Sequence, residues 1–145
     1  MFGDFLKRLI QPEPAPLAHS DARLALTALL VRVARSDNDY SADEVSRIDR
    51  IIADRYGLSP FEAGKLRAEA ETLEAEAPDT VRFTRAIKDA VPYEDRRSVV
   101  QSLWTVVLAD GARAEEEDAL LRLVANLLGV SDVDSAMARQ HAEKS

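Results

Sequence analysis

Between about residue 20 and residue 140 the sequence runs through one plan twice, and that repetition constrains the fold more than any other feature. In the first pass, Val33-Ala-Arg-Ser-Asp37-Asn38-Asp39-Tyr-Ser41-Ala-Asp43-Glu44-Val45 follows an apolar helical run. In the second, Val107-Leu-Ala-Asp110-Gly111-Ala-Arg-Ala-Glu115-Glu116-Glu117-Asp118-Ala119 does the same. Each corner has an Asp, then a residue tolerant of left-handed backbone (Asn38 or Gly111), then a Glu seven positions after the Asp. A helix follows and closes on Gly57-Leu58-Ser59 or Gly129-Val130-Ser131. The offset is 73 at the Asp (37 to 110) and 72 at the Gly (57 to 129), so the two halves are one supersecondary unit used twice.

Helical periodicity fills the rest. An apolar run from Ser20-Asp21 to about Ser36 (Leu24, Leu26, Leu29, Leu30, Val31, Val33) is hydrophobic on more than one face and belongs in the middle of a bundle. Ser41-Ala-Asp43-Glu44 is a capping box, and Val45, Ile48, Ile51, Ile52 and Tyr56 form the stripe behind it. Ser59-Pro60 starts a third helix, to about Glu76; its Ala- and Glu-rich second half predicts the most exposed helix of the set. Pro78-Asp79 starts a fourth, with Val81, Phe83, Ile87 and Ala90 as contacts. The fifth, about Glu94 to Ala109, carries Val99, Val100, Leu103, Trp104, Val106, Val107 and Leu108 and is a second central helix, with Trp104 in the core. The sixth begins at Glu115 and buries Leu120, Leu121, Leu123, Val124, Leu127 and Leu128; the seventh follows Ser131-Asp132 and frays from His141. Arg96 and Arg97 are candidates for binding an anion or for a salt bridge to the third helix, and the salt bridge is the expectation. No segment shows strand alternation bounded by turn residues. The expected fold is therefore all-α: a single-domain bundle of about seven helices with internal duplication, plus a short N-terminal helix.

That N-terminal helix, residues 2–10, sets Phe2, Phe5, Leu6, Leu9 and Ile10 on one side and is broken by Gln11-Pro-Glu-Pro-Ala-Pro16. The expected division is 1–17 for this helix and its proline-rich tether, and 18–145 for the helical domain. The helix folds back on the domain or pairs with a second subunit; as a membrane anchor, so short a segment would be marginal.

Composition narrows the function. A net charge of −7 and a pI near 4.9 argue against a partner recognised through phosphate backbone, so no nucleic acid is expected. Cysteine is absent, which removes disulfides, thiol nucleophiles and thiolate metal sites. There is no Gly-x-Ser-x-Gly elbow, phosphate-cradling glycine loop or His-Glu-x-x-His, and the chain is expected not to be an enzyme. No apolar stretch is long enough to span a bilayer and the start lacks a secretory layout, so the expected compartment is the cytoplasm.

The corners offer chemistry of their own. Acidic residues in the first turn of a helix are favoured by its dipole by ~0.3–1 kcal/mol each, and a capping box accounts for Glu44. Asp37 and Asp110 are different: each follows the last turn of an apolar helix, where the dipole is negative and a carboxylate is mildly unfavourable. A cation reverses that sign. Asp, Glu and helix-end carbonyls are hard oxygen donors that suit Ca²⁺ or Mg²⁺, although the first loop is no EF-hand, since Ala42 and Ile48 stand where that motif needs Gly and Glu. The candidate metal ligands are Asp37, Asp39, Glu44, Asp110 and Glu117.

Asp37 through Glu44, and Ala109-Asp110-Gly111 through Glu117 after Leu103-Trp104-Thr-Val-Val-Leu108, resemble the paired acidic motifs of the TerB-like (tellurite resistance protein B) family over roughly residues 20–140. The resemblance implies an all-α fold with internal duplication and a cytoplasmic, non-enzymatic module of tellurite or other stress responses. It also implies protein partners, among them membrane-associated complexes, and so a peripheral position at the inner membrane. Metal chelation is implied for Asp37, Glu44, Asp110 and Glu117. The two corners are unequal, with Asn38-Asp39 in one and Gly111-Ala112 in the other. The competing expectation is a metal-free protein-interaction scaffold, possible as a homodimer, with the acids acting as helix caps.

Overall fold

The structure is a computed structural model that describes residues 3–9, 19–35, 40–77, 79–108 and 115–144, with the backbone alone at 8, 9, 19, 20, 115–118 and 144. Among the described residues there are eight helices and no strand: α1 (Gly3–Leu9), α2 (His19–Ala34), α3 (Ala42–Tyr56), α4 (Pro60–Glu76), α5 (Thr80–Ala90), α6 (Tyr93–Val107), α7 (Glu115–Leu127) and α8 (Asp132–Lys144). The all-α expectation holds.

Local chemistry sets the boundaries. Ser41 caps α3 and Ser59 caps α4, both with complete capping boxes, and Pro60 occupies the first turn of α4. Asp79 caps α5 by accepting from the Arg82 backbone N–H at 3.0 Å. Gly57 ends α3 in left-handed backbone (φ 65°), and the Leu58 N–H returns to the Ala53 carbonyl at 3.0 Å. Gly129 repeats this beyond α7, with φ 75° and the Val130 N–H on the Ala125 carbonyl at 3.0 Å.

Helix α2 is the axis of the bundle. Ala25, Ala28, Leu29, Val31, Val33 and Ala34 are fully buried, which no one-sided helix achieves. Its Thr27 is buried too, its hydroxyl satisfied by the Arg23 carbonyl at 2.7 Å. Helix α6 is the second axis, with Val100, Leu103 and Val106 fully buried.

The duplication is visible in the packing. In each half the first helix packs most extensively on the third, α2 on α4 and α6 on α8. The halves then exchange contacts: α3 lies on α6, α7 on α2, and the two axes touch. This reciprocal pattern is what a pseudo-twofold arrangement of the repeats requires. Helix α5 joins the halves, packing on α7 and carrying α1. Phe5 of α1 is buried in the common core and Leu6 packs against it, so α1 folds back on the bundle.

Helix α4 is exposed at more than half of its positions, in keeping with its Ala- and Glu-rich sequence, while Ala70 and Leu73 are fully buried because small side chains let α4 approach α2 closely. Three expectations need correction. Val81 and Leu123 are 41% and 47% exposed. The buried stripes run instead through Phe83, Ile87 and Ala90 and through Leu121, Val124 and Leu128, and at 100° per residue neither side chain falls on them. The helix does not stop at His141; α8 extends to Lys144 with Ala142 buried. Arg96 makes no salt bridge to α4. It donates to the carbonyls of Val91, at 3.0 Å, and Leu128, tying the end of α7 to the start of α6.

Candidate functional site

Of the five expected ligands, Asp37, Asp39 and Asp110 lie outside the described residues, and Glu117 lies in α7 where only the backbone is described. Glu44 is the one whose side chain is placed. Its carboxylate accepts from the Ser41 N–H and hydroxyl, both at 3.2 Å, while its own N–H donates to the Ser41 hydroxyl oxygen at 3.1 Å. The capping role expected of it is therefore present. Its burial was not expected: Glu44 is 3% exposed.

The chain carries its own control. Ser59 and Glu62 form the same capping box at the start of α4, with the Ser59 N–H on the Glu62 carboxylate at 3.0 Å. Glu62 is exposed, and the Ser59 backbone N–H, then its hydroxyl, hold its carboxyl below the usual carboxylate range. A capping box thus works in water. The burial of Glu44 is a second property, set by where the first corner meets the core.

Around that corner stands a network that sequence patterns did not single out. Arg32 and Arg35, in the last turn of α2 and just beyond it, reach the Glu74 carboxylate at 3.9 and 3.8 Å, and Arg32 also donates to the Glu74 carbonyl at 3.1 Å. Cations at a helix C-terminus are favoured by its dipole. Arg35 lies over the Tyr40 ring, 5.1 Å from its centroid. The Tyr40 hydroxyl donates to Glu71 at 2.8 Å, and Arg67 joins Glu71 at 3.1 Å to Asp49 of α3 at 2.6 Å. Burial first, then the bond to Glu71, push the Tyr40 phenol far above its ordinary value. Glu71 and Glu74 are thereby committed to partners, and Arg35 and Tyr40, the residues flanking the corner, are both tied to α4. The only trace of this in the sequence is the Arg67–Glu71 spacing, which suits an i,i+4 pair.

In the second half Trp104 is 2% exposed, as expected of a core residue. Its indole N–H donates to the Ser135 hydroxyl at 3.4 Å and Arg139 lies over its ring, 5.3 Å from the centroid. Among the described residues no three His, Asp or Glu side chains gather as a metal cluster. No helix among them is long and apolar enough to cross a membrane.

A family model described as Tellurite resistance protein TerB matches residues 23–140. No curated protein and no solved structure matches the chain.

Proposed function

The chain belongs to the TerB family, and on that footing we propose that it is a non-catalytic module of a tellurite or related stress response whose corner carboxylates hold a divalent cation. The ligands are Asp37, Asp39 and Glu44 in the first corner with Asp110 and Glu117 in the second, and the oxygen donors suit Ca²⁺ or Mg²⁺. The observation that carries this reading is the paired corner pattern: Asp37 and Asp110 each follow the last turn of an apolar helix, where the dipole disfavours a carboxylate, and each is followed seven residues on by a Glu that opens the next helix. A cation bound among these hard oxygen donors turns that cost into a gain. The module works in the cytoplasm, beside membrane-associated protein complexes at the inner membrane.

The test is calorimetric titration of the chelator-treated chain with Ca²⁺, Mg²⁺, Mn²⁺ and Zn²⁺, beside Glu44→Gln and an Asp37→Asn/Asp110→Asn variant. Glu44→Gln keeps an oxygen that can accept from Ser41 while removing the charge. The expected result is saturable binding with a rise in melting temperature, lost in both variants. Binding that is absent in the parent chain, or unchanged in Glu44→Gln, refutes the reading.

A metal-free interaction scaffold is the second reading. What favours it is the exposed apolar surface on α8, where Val133 and Met137 are 68% and 61% exposed one helical turn apart. Under it the titrations are silent and the partners are proteins.

A further inference from the structure

The two halves share a helix plan, so each residue of one groove has a counterpart in the other, and at one place the counterparts have diverged in charge. In the first half Arg67 of α4 holds two carboxylates: Glu71 one turn along its own helix, at 3.1 Å, and Asp49 across the groove on α3, at 2.6 Å. With the 72-residue offset that relates Gly57 to Gly129, Arg67 and Glu71 correspond to Arg139 and Glu143 of α8. These pair in the same way, at 3.1 Å. With the 73-residue offset of the corner, Asp49 corresponds to Arg122. Arg139 therefore keeps its intrahelical partner, but the position that supplies a carboxylate across the groove in the first half supplies a second guanidinium in the second.

We infer that the groove between α7 and α8 is a binding site for a small oxyanion-bearing molecule, a carboxylate or a phosphate, held by Arg122 and Arg139. The cavity there has a volume of about 650 Å³, against about 300 Å³ for its counterpart between α3 and α4. Packing follows the same difference: α3 lies broadly on α4, whereas α7 touches α8 only sparingly. Among the described residues the ion pair that ties α3 to α4 across the first groove has no counterpart across the second. Among the described residues Arg122 has no ion pair.

The lining has changed in step. Ala53 and Ala63 of the first groove correspond to Asn126 and Ser135 of the second, so small apolar walls have become hydrogen-bonding ones. Gln140 adds a further amide. The groove also holds Asp132 and Glu143; Glu143 is spent on Arg139, and Asp132 lies in the first turn of α8. Two guanidiniums facing one space match the flat, forked geometry of carboxylate and phosphate oxygens. A bound oxyanion supplies from outside the charge that Asp49 supplies from within the chain. The volume falls in the ~300–1,000 Å³ range of small-molecule sites.

Trp104, the one tryptophan of the chain, gives the site a reporter, because its indole N–H ends on Ser135 at the groove wall. The experiment is amide and indole NMR of the full chain titrated with sodium phosphate and, separately, sodium citrate at constant ionic strength. Saturable shifts confined to α7, α8 and the Trp104 indole are expected. Saturation by phosphate alone assigns a phosphate-bearing ligand, and by citrate alone a carboxylate-bearing one. Arg122→Gln is expected to weaken the response at least tenfold. Arg122→Asp, which recreates the first groove's ion pair, is expected to abolish it and raise the melting temperature. No saturable shift with either anion, or equal affinity in Arg122→Gln, overturns the proposal.

Discussion

Gly57 and Gly129 do the same backbone work in different surroundings, and that difference is measurable. A Cβ at Gly57 would meet nothing within 4 Å, so Gly57→Ala costs only left-handed strain, ~1 kcal/mol. A Cβ at Gly129 would lie 3.0 Å from the Lys88 Cε and 3.1 Å from the Arg96 Nη1. Lys88 can swing aside, but the same Arg96 nitrogen donates to the Leu128 carbonyl. Gly129→Ala should therefore lose that bond as well, ~1 kcal/mol beyond the loss at Gly57, read as a lower urea midpoint. Both glycines were legible as caps, because a helix followed by Gly and an apolar residue is a local pattern. The role of Arg96 was not, since its acceptors on Val91 and Leu128 are carbonyls that every residue carries.

At the level of the element, capping signals located helix starts well. Ser41, Ser59 and Asp79 each stand where the sequence predicts a start, because a cap is satisfied within four residues and needs no tertiary partner. They should not be equal in stability. Ser59→Ala loses an exposed cap, ~1 kcal/mol, whereas Ser41→Ala also removes a hydroxyl donor from the buried Glu44 carboxylate, so its loss should exceed the other by ~1 kcal/mol. Equal urea midpoints for the two variants would show that the burial of Glu44 places no demand on Ser41. This burial is also why the candidate site was only half legible: spacing showed that an acid opens α3, but nothing local says whether a first-turn acid faces water or core. Val81 and Leu123 mark the same limit in reverse, apolar residues that the helical period turns outward.

For the whole molecule, the Tyr40 clamp gives stability an alkaline limit. The native phenol is held protonated by burial and by Glu71, so its native pKa stands above the unfolded value, near 10. Tyr56 is shifted the same way, chiefly by burial. A raised native pKa means that the unfolded chain releases protons first, so the stabilisation is complete below about pH 10 and is lost as pH rises beyond it. Urea midpoints measured from pH 8 to 11 should fall steeply above pH 10 in the parent chain and less steeply in Tyr40→Phe. Equal slopes would remove Tyr40 from the account. The duplication was readable in the Asp and Gly offsets, yet the divergence of Asp49 and Arg122 acquired meaning only when α4 and α8 were seen to present the same Arg–Glu pair to them.

The exchange of α3 and α7 between the halves has a consequence for how the chain comes apart. The triplets cover one another's apolar faces, with α5 and α1 closing the joint, so one core is shared by the whole bundle. The chain is therefore expected to unfold in a single transition, with a defect in either half felt as a loss of the whole. In a chain built this way, duplication does not supply a spare copy: the repeats are mutual scaffolds, each the other's missing solvent shield.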